Sequence, residues 1–287
     1  MKMNDDATIR MGDSFFATKE YIKSINAYKK VVDQFGASAD YAQYQMAMSY
    51  GFLKNNDYKI SQLENLLTNF ELSNFRDDAL FQLGNSYSAQ KENKNAHRVY
   101  KTLFKNFPRS SYISRALLRD GLLFYNDDEN QKALKNYKEI ITKYPNSAEA
   151  KEAVTNAKNV YIDLGTVDEY AIWAKGISFI NITDAEIDNT TYEAAENKFL
   201  ANDILKAMEG FKKYIKAFPK GLHALQANFY LAQLLVKTNL QEDAVSNYQY
   251  VINQPQSEFS EEALNKLSQL LLEKEDWSNA IPLLERL

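Results

Sequence analysis

The chain has 287 residues, 45% apolar and 25% charged, with 34 basic and 38 acidic side chains and a net charge of −4. That balance belongs to a folded chain rather than a disordered one, and the lack of a clustered basic run argues against a nucleic-acid partner. Cysteine is absent, which excludes disulfides and thiolate metal sites; nine glycines and five prolines are few for a β-rich fold and favour helix.

A single hydrophobic core stops growing near about 250–300 residues, so this length predicts two domains or an elongated array. No apolar run approaches the roughly 18 residues of a membrane span. Residues 1–10 are polar and lack a leader's apolar core, so a cytosolic protein and an exported one without its leader both stay open.

From the N-terminus onward two phrases alternate. The first is a small residue followed three later by an aromatic or large apolar one. The second, twelve residues further on, is a small anchor with an aromatic at the fourth position after it and an apolar residue at the seventh. Gly12 and Phe15 precede Ser24, Tyr28 and Val31; Ala47 and Tyr50 precede Lys59, Leu63 and Leu66, where lysine replaces the small anchor. Gly84 and Tyr87 precede Ala96, Tyr100 and Leu103, and Gly121 and Phe124 precede Ala133, Tyr137 and Ile140. The fifth repeat is degenerate: Lys158 stands where glycine or alanine is expected, and the anchor falls at Tyr170 or Ala171. Gly176 to Thr191 is β-branched and polar with no helical stripe, and it reads as an irregular, mobile insertion or hinge. Ala195 then precedes Ala207, Phe211 and Tyr214, with Phe199 one residue late. Ala232 and Leu235 precede Ala244, Tyr248 and Val251, and Ala280 closes the series.

Ala96 to Ala133 and Ala207 to Ala244 are each 37 residues, and Ala133 to Ala207 is twice that. Each repeat carries two apolar stripes at helical spacing, separated by polar turns such as Asn55-Asn56-Asp57, Asn126-Asp127-Asp128 and Asn202-Asp203. Pro108, Pro145, Pro219 and Pro255 fall between repeats, where proline stops the preceding helix. Ser110 or Ser111, Ser147 and Ser257 follow as expected N-caps. A two-helix hairpin of this length cannot bury its apolar face alone and must stack on its neighbours. Small anchors let paired helices approach, and the aromatics fill the wedge between hairpins.

The residues carry no catalytic or metal signature. His97 and His223 are the only histidines, and no HExxH, Gly-rich phosphate loop or GxSxG elbow occurs. Asp5-Asp6, Asp77-Asp78, Asp127-Asp128-Glu129 and Glu261-Glu262 sit at helix starts or turns, where acidic side chains suit the helix dipole. No cofactor is expected, and no enzyme.

This pattern resembles the tetratricopeptide repeat (TPR) family, whose unit is about 34 residues with small, aromatic and proline positions at these offsets. The longer period and the endings KNFPRS, KYPNS and AFPKG are similar to the periplasmic TPR protein of the Tol–Pal system and the TPR lipoprotein of outer-membrane assembly. Val167 to Tyr170 and Tyr192 to Glu196 resemble long periplasmic TPR arrays of Bacteroidetes. The resemblance implies an all-α, right-handed α-solenoid superhelix of about eight helical hairpins. Its parts are an N-terminal array over 1–175, the insertion over 176–191 and a C-terminal array over 192–287. It also implies a periplasmic or outer-membrane-associated protein, with a cytoplasmic setting as the alternative.

In that family the second, fifth, ninth and twelfth positions of each first helix line a concave face. Counted from the anchors, Tyr41, Tyr44, Phe81, Tyr125, Tyr192, Phe199 and Phe229 fall there, and they suit an extended or helical partner segment; packing within the array is the other reading of these seven. Asn85 and Asn159 match a chaperone-tail clamp, but Phe81 and Thr155 replace its lysines. The function so implied is a protein-binding scaffold of the bacterial envelope, with a glycan-uptake lipoprotein as the alternative. Only Trp173 and Trp277 could serve as sugar platforms. The chain stops seven residues after Ala280 and without a polar capping helix. A longer native array is therefore expected, with Leu283, Leu284 and Leu287 exposed at an edge open to self-association.

Overall fold

The computed structural model describes residues 5–287, which form helices and turns and no strand. Among the described residues sixteen helices pair as eight hairpins. The first four are α1 (Asp5–Ala17) with α2 (Tyr21–Asp33), α3 (Ala39–Phe52) with α4 (Asn56–Asn69), α5 (Arg76–Ala89) with α6 (Asn93–Asn106), and α7 (Ile113–Asn126) with α8 (Asn130–Lys143). Then come α9 (Ala148–Leu164) with α10 (Val167–Lys175), α11 (Asp184–Leu200) with α12 (Ile204–Ala217), α13 (Ala224–Lys237) with α14 (Gln241–Ile252), and α15 (Ser260–Glu273) with α16 (Trp277–Leu284). The chain divides into two compact units, Met1–Asn156 and Ala157–Leu287, so the division falls inside α9. Successive helices pack against each other from α1 to α8 in the first unit and from α10 to α16 in the second.

The anchors sit where the spacing places them. Ser24, Ala96, Ala133, Ala207, Ala244 and Ala280 are all fully buried, as are Tyr28, Tyr100, Tyr137 and Phe211 at the aromatic positions. In the fifth hairpin the sizes are exchanged: Tyr170 takes the small residue's place and Ala174 the aromatic's, and both are buried. Ala157, one residue before Lys158, is a fully buried small residue of α9. At the second anchor the stem of Lys59 lies across Gly51, and its ammonium donates to Gln82 Oε1 at 3.0 Å. Burial pulls the pKa of this lysine down.

Each hairpin turn is closed by one residue in the left-handed conformation: Lys19, Lys54, Lys91, Asp128, Gly165, Asn202, Asn239 and Glu275. At every turn the N–H of the next residue reaches back to a carbonyl five positions earlier, as in Glu92 N–H to Tyr87 O at 2.9 Å and Asp203 N–H to Lys198 O at 2.9 Å. This is the Schellman closure of a helix C-terminus. Glycine fills the position once only. A non-glycine residue is strained there by roughly 1–2 kcal/mol, partly offset by glycine's larger unfolded-state entropy, about 0.5–1 kcal/mol. Replacing Lys19, Lys54 and Lys91 together with glycine is therefore expected to stabilise the first unit by about 1–3 kcal/mol. Urea unfolding checks this, and a lowered midpoint would contradict it.

Three expectations need correction. Asp184–Thr191 is not irregular; it forms the first two turns of α11, leaving a connection of residues 176–183. Thr183 and Glu186 close a capping box that opens the helix. The stripe was hidden because its inward positions are polar: Asp188 and Thr190 are buried. Ser110 and Ser257 are not N-caps either. They lie two residues before the capping positions of α7 and α15, Tyr112 and Phe259, and their hydroxyls accept those residues' N–H groups at 3.2 and 3.3 Å. Finally, Leu283 is buried, while Leu284 and Leu287 are exposed, because Leu283 faces the α15 side of the last hairpin's core.

Candidate functional site

First helices carry the expected partner-facing aromatics, and hairpin stacking decides how much of each is left open. In the first unit Tyr41, Tyr44 and Tyr125 are half-buried and Phe81 is buried; in the second, Phe199 is half-buried and Tyr192 and Phe229 are buried. A repeated geometry explains the burial. An aromatic on one hairpin stacks on a ring 31 positions later, on the next: Tyr44 on Phe75 with centroids 5.6 Å apart, Phe81 on Tyr112 at 4.8 Å, Tyr192 on His223 at 4.2 Å and Phe199 on Tyr230 at 4.7 Å. Tyr21 on Phe52 at 5.0 Å follows the same spacing. Phe229 packs against Phe259 at 4.7 Å. Phe81, Tyr192 and Phe229 are thus joints between hairpins, with little surface left for a partner.

The half-exposed rings are held in place. Tyr41 donates its hydroxyl to Asp13 Oδ1 at 2.9 Å and accepts from Gln45 Nε2 at 3.1 Å. Burial, with Asp78 nearby, lifts the Tyr44 phenol well above its ordinary pKa, so it stays neutral at any physiological pH. Around these rings the first-helix face of the first unit carries Met48, Asn85 and Leu122, all half-buried and uncharged. Rigid aromatics of this kind contribute large contact area with little side-chain entropy to lose.

A second recurring device ties hairpins together. An acidic residue near the start of a first helix accepts hydrogen bonds from the junction leading into the next hairpin. Asp40 accepts from Ser73 Oγ at 2.7 Å, Asp78 from Tyr112 Oη at 2.5 Å, and Asp188 from Leu222 N–H at 2.8 Å. Asp188 also accepts from Tyr214 Oη at 2.5 Å, and that hydroxyl in turn accepts from His223 N–H at 2.9 Å. The sequence shows Asp40 and Asp78 at helix starts, but only the stacking of hairpins shows what they hold.

The histidines serve packing. His97 Nδ1 lies 2.6 Å from Asp120 Oδ1, whose other oxygen accepts from Asn136 Nδ2 at 2.8 Å, and the imidazole stacks on Phe124. Burial raises the pKa of Asp120, while His97 and Asn136 oppose the rise. His223 Nε2 lies 2.6 Å from Asn189 Oδ1. Among the described residues no group of three His, Asp or Glu side chains is placed to hold a metal ion, and no helix is long and apolar enough to cross a membrane.

Two grooves run between second helices. In the C-terminal unit a groove of about 970 Å³ lies between α10 and α12 over α11. Its lining combines small residues, Ala171, Ala194, Ala195, Gly210 and Ala217, with charged side chains such as Lys198, Glu209 and Lys213, and the short α10 leaves Ile172 exposed beside it. In the N-terminal unit a groove of about 600 Å³ lies between α6 and α8 over α7. None of the seven expected aromatics lines either one.

Comparison with known proteins agrees with the repeat geometry. A family model described as tetratricopeptide repeat matches residues 78–110 and 115–147, that is, hairpins three and four. No curated protein matches the chain. Among solved structures, a tetratricopeptide repeat protein from Parabacteroides merdae is 14% identical with a TM-score of 0.52, covering 93% of this chain and 99% of that one. A structure of Naa15/Naa10 bound to HypK-THB is 15% identical with a TM-score of 0.56; 94% of this chain aligns, but it spans only 39% of that chain. The MamA protein is 17% identical with a TM-score of 0.51, over 64% of this chain and all of that one. At these identities the likeness is one of fold.

Proposed function

We propose, from the premise that this chain belongs to the tetratricopeptide repeat family, that it is a non-catalytic scaffold that captures a segment of another protein. The observation that carries this reading is the set of half-exposed aromatics on first helices of the first unit, Tyr41, Tyr44 and Tyr125. Such a face gives an extended or helical segment apolar contact with few charges to desolvate. Peptides selected from a random display library on the intact protein test it. The double variant Tyr44→Ala and Tyr125→Ala is expected to weaken the selected peptides at least about tenfold with helix content unchanged. Unaltered affinity would remove this face as the site.

The setting we favour is the bacterial envelope, periplasmic or outer-membrane-associated. Its support is the resemblance of the junction phrases KNFPRS, KYPNS and AFPKG to envelope TPR proteins. Fractionation of the source cells tests it, and recovery solely in the cytoplasmic fraction would refute it.

A further inference from the structure

Charge is distributed very unevenly over the helices of the first unit. The chain as a whole is acidic, at −4. Yet α6 and α8 together carry eight lysines and arginines against one carboxylate, Glu139. These are the two walls of the 600 Å³ groove, and Arg98, Lys101, Lys135 and Lys143 stand exposed along it. Lys143 pairs with Glu139 at 2.8 Å, a surface ion pair of the kind that is readily exchanged. Among the described residues, Lys101 and Lys135 have no carboxylate partner. Between the walls, Phe104, Phe124 and Tyr144 are half-buried and Ile113 and Leu117 lie beneath them, beside the polar set of His97, Asp120 and Asn136, which hydrogen-bond to one another.

We propose that this groove between α6 and α8 is a second docking surface, and that its occupant is an acidic amphipathic peptide segment of a partner protein. The rim sets the sign of the partner, because a carboxylate-bearing segment gains attraction from both walls and like-charged segments are repelled. The recessed apolar floor sets its class. A peptide alternating carboxylates with leucine or phenylalanine can place the first on the rim and the second between the helices. A phosphate backbone has nothing to offer the floor, and a flat bilayer surface does not reach into a slot between two helices. The surface is separate from the first-helix aromatics of the proposed function, so the two can fail independently.

The test is fluorescence anisotropy with the intact protein and a labelled peptide in which pairs of glutamates alternate with leucine and phenylalanine. Three other probes accompany it: a glutamate–serine peptide, a short single-stranded DNA and phosphatidylglycerol vesicles. The glutamate–leucine–phenylalanine peptide is expected to bind, and to weaken as salt is raised from about 50 to 500 mM. Lys101→Glu with Lys135→Glu should reduce its affinity at least about tenfold without shifting the melting temperature. Lys212→Glu, on α12 in the other unit, and the Tyr44→Ala, Tyr125→Ala variant should leave it unchanged. Equal or tighter binding of the serine peptide, the DNA or the vesicles would overturn the proposal. So would no binding, or an equal loss in the Lys212→Glu variant.

Discussion

Gly84→Ala and Gly121→Ala are expected to destabilise the first unit by up to about 2 kcal/mol each, although alanine is the better helix former. A β-carbon at Gly84 would stand 2.4 Å from Tyr100 Cε1 and 2.8 Å from Cδ1; at Gly121 it would stand 2.5 Å from Tyr137 Cε1. Neither ring can step aside. Both are fully buried, and Tyr100 is tied by its hydroxyl to Asn85 Oδ1 at 2.8 Å. Overpacking of this kind costs about 1–3 kcal/mol, while the gain in helix propensity is about 1 kcal/mol, so the clash wins. Gly51 supplies the contrast. Its nearest neighbour is Lys59 Cδ at 3.0 Å, part of a flexible stem that can move, and Gly51→Ala is expected to be neutral or stabilising. Urea midpoints of the three variants check the order. A stabilised Gly84→Ala would mean that the Tyr100 ring is free to shift.

Asp188→Ala is expected to cost about 2–4 kcal/mol in the C-terminal unit, the range for leaving buried donors without an acceptor. The carboxylate is buried and serves Tyr214 Oη and Leu222 N–H at once. Its removal also frees Tyr214 from the position in which it accepts the His223 N–H. Asp188→Asn keeps one acceptor oxygen and should lose less than half as much. Hydrogen exchange would show the loss as faster opening at the start of α13, since each hairpin in such an array depends on its neighbours. Unchanged protection there would contradict the role assigned to the carboxylate.

The two predictions mark the limit of what could be read directly. The glycine-to-tyrosine contacts follow from spacing: Gly12, Gly84 and Gly121 each precede by 16 residues the tyrosine that fills the space over them. Asp188 could not be found that way. Its segment shows no apolar stripe because the inward side of α11 is hydrogen-bonded, and periodicity registers only greasy faces. A usable signal was present in Thr183-Asp184-Ala185-Glu186, the signature of a capping box. The proposed partner face was legible as a set of positions. Its accessibility was not, since ring contacts between hairpins bury Phe81, Tyr192 and Phe229, while Tyr41, Tyr44, Tyr125 and Phe199 stay half open.

What this sequence determined by itself is the number and order of the hairpins. The size alternation of inward residues and the prolines between repeats are local features, and a helix pair of this length has only one apolar side to bury. The tertiary structure alone decided which polar groups become internal and which aromatics stay open. Those outcomes depend on the stagger between one hairpin and the next. That stagger brings Asp78 to Tyr112 and Asp188 to Leu222, residues that no local pattern connects.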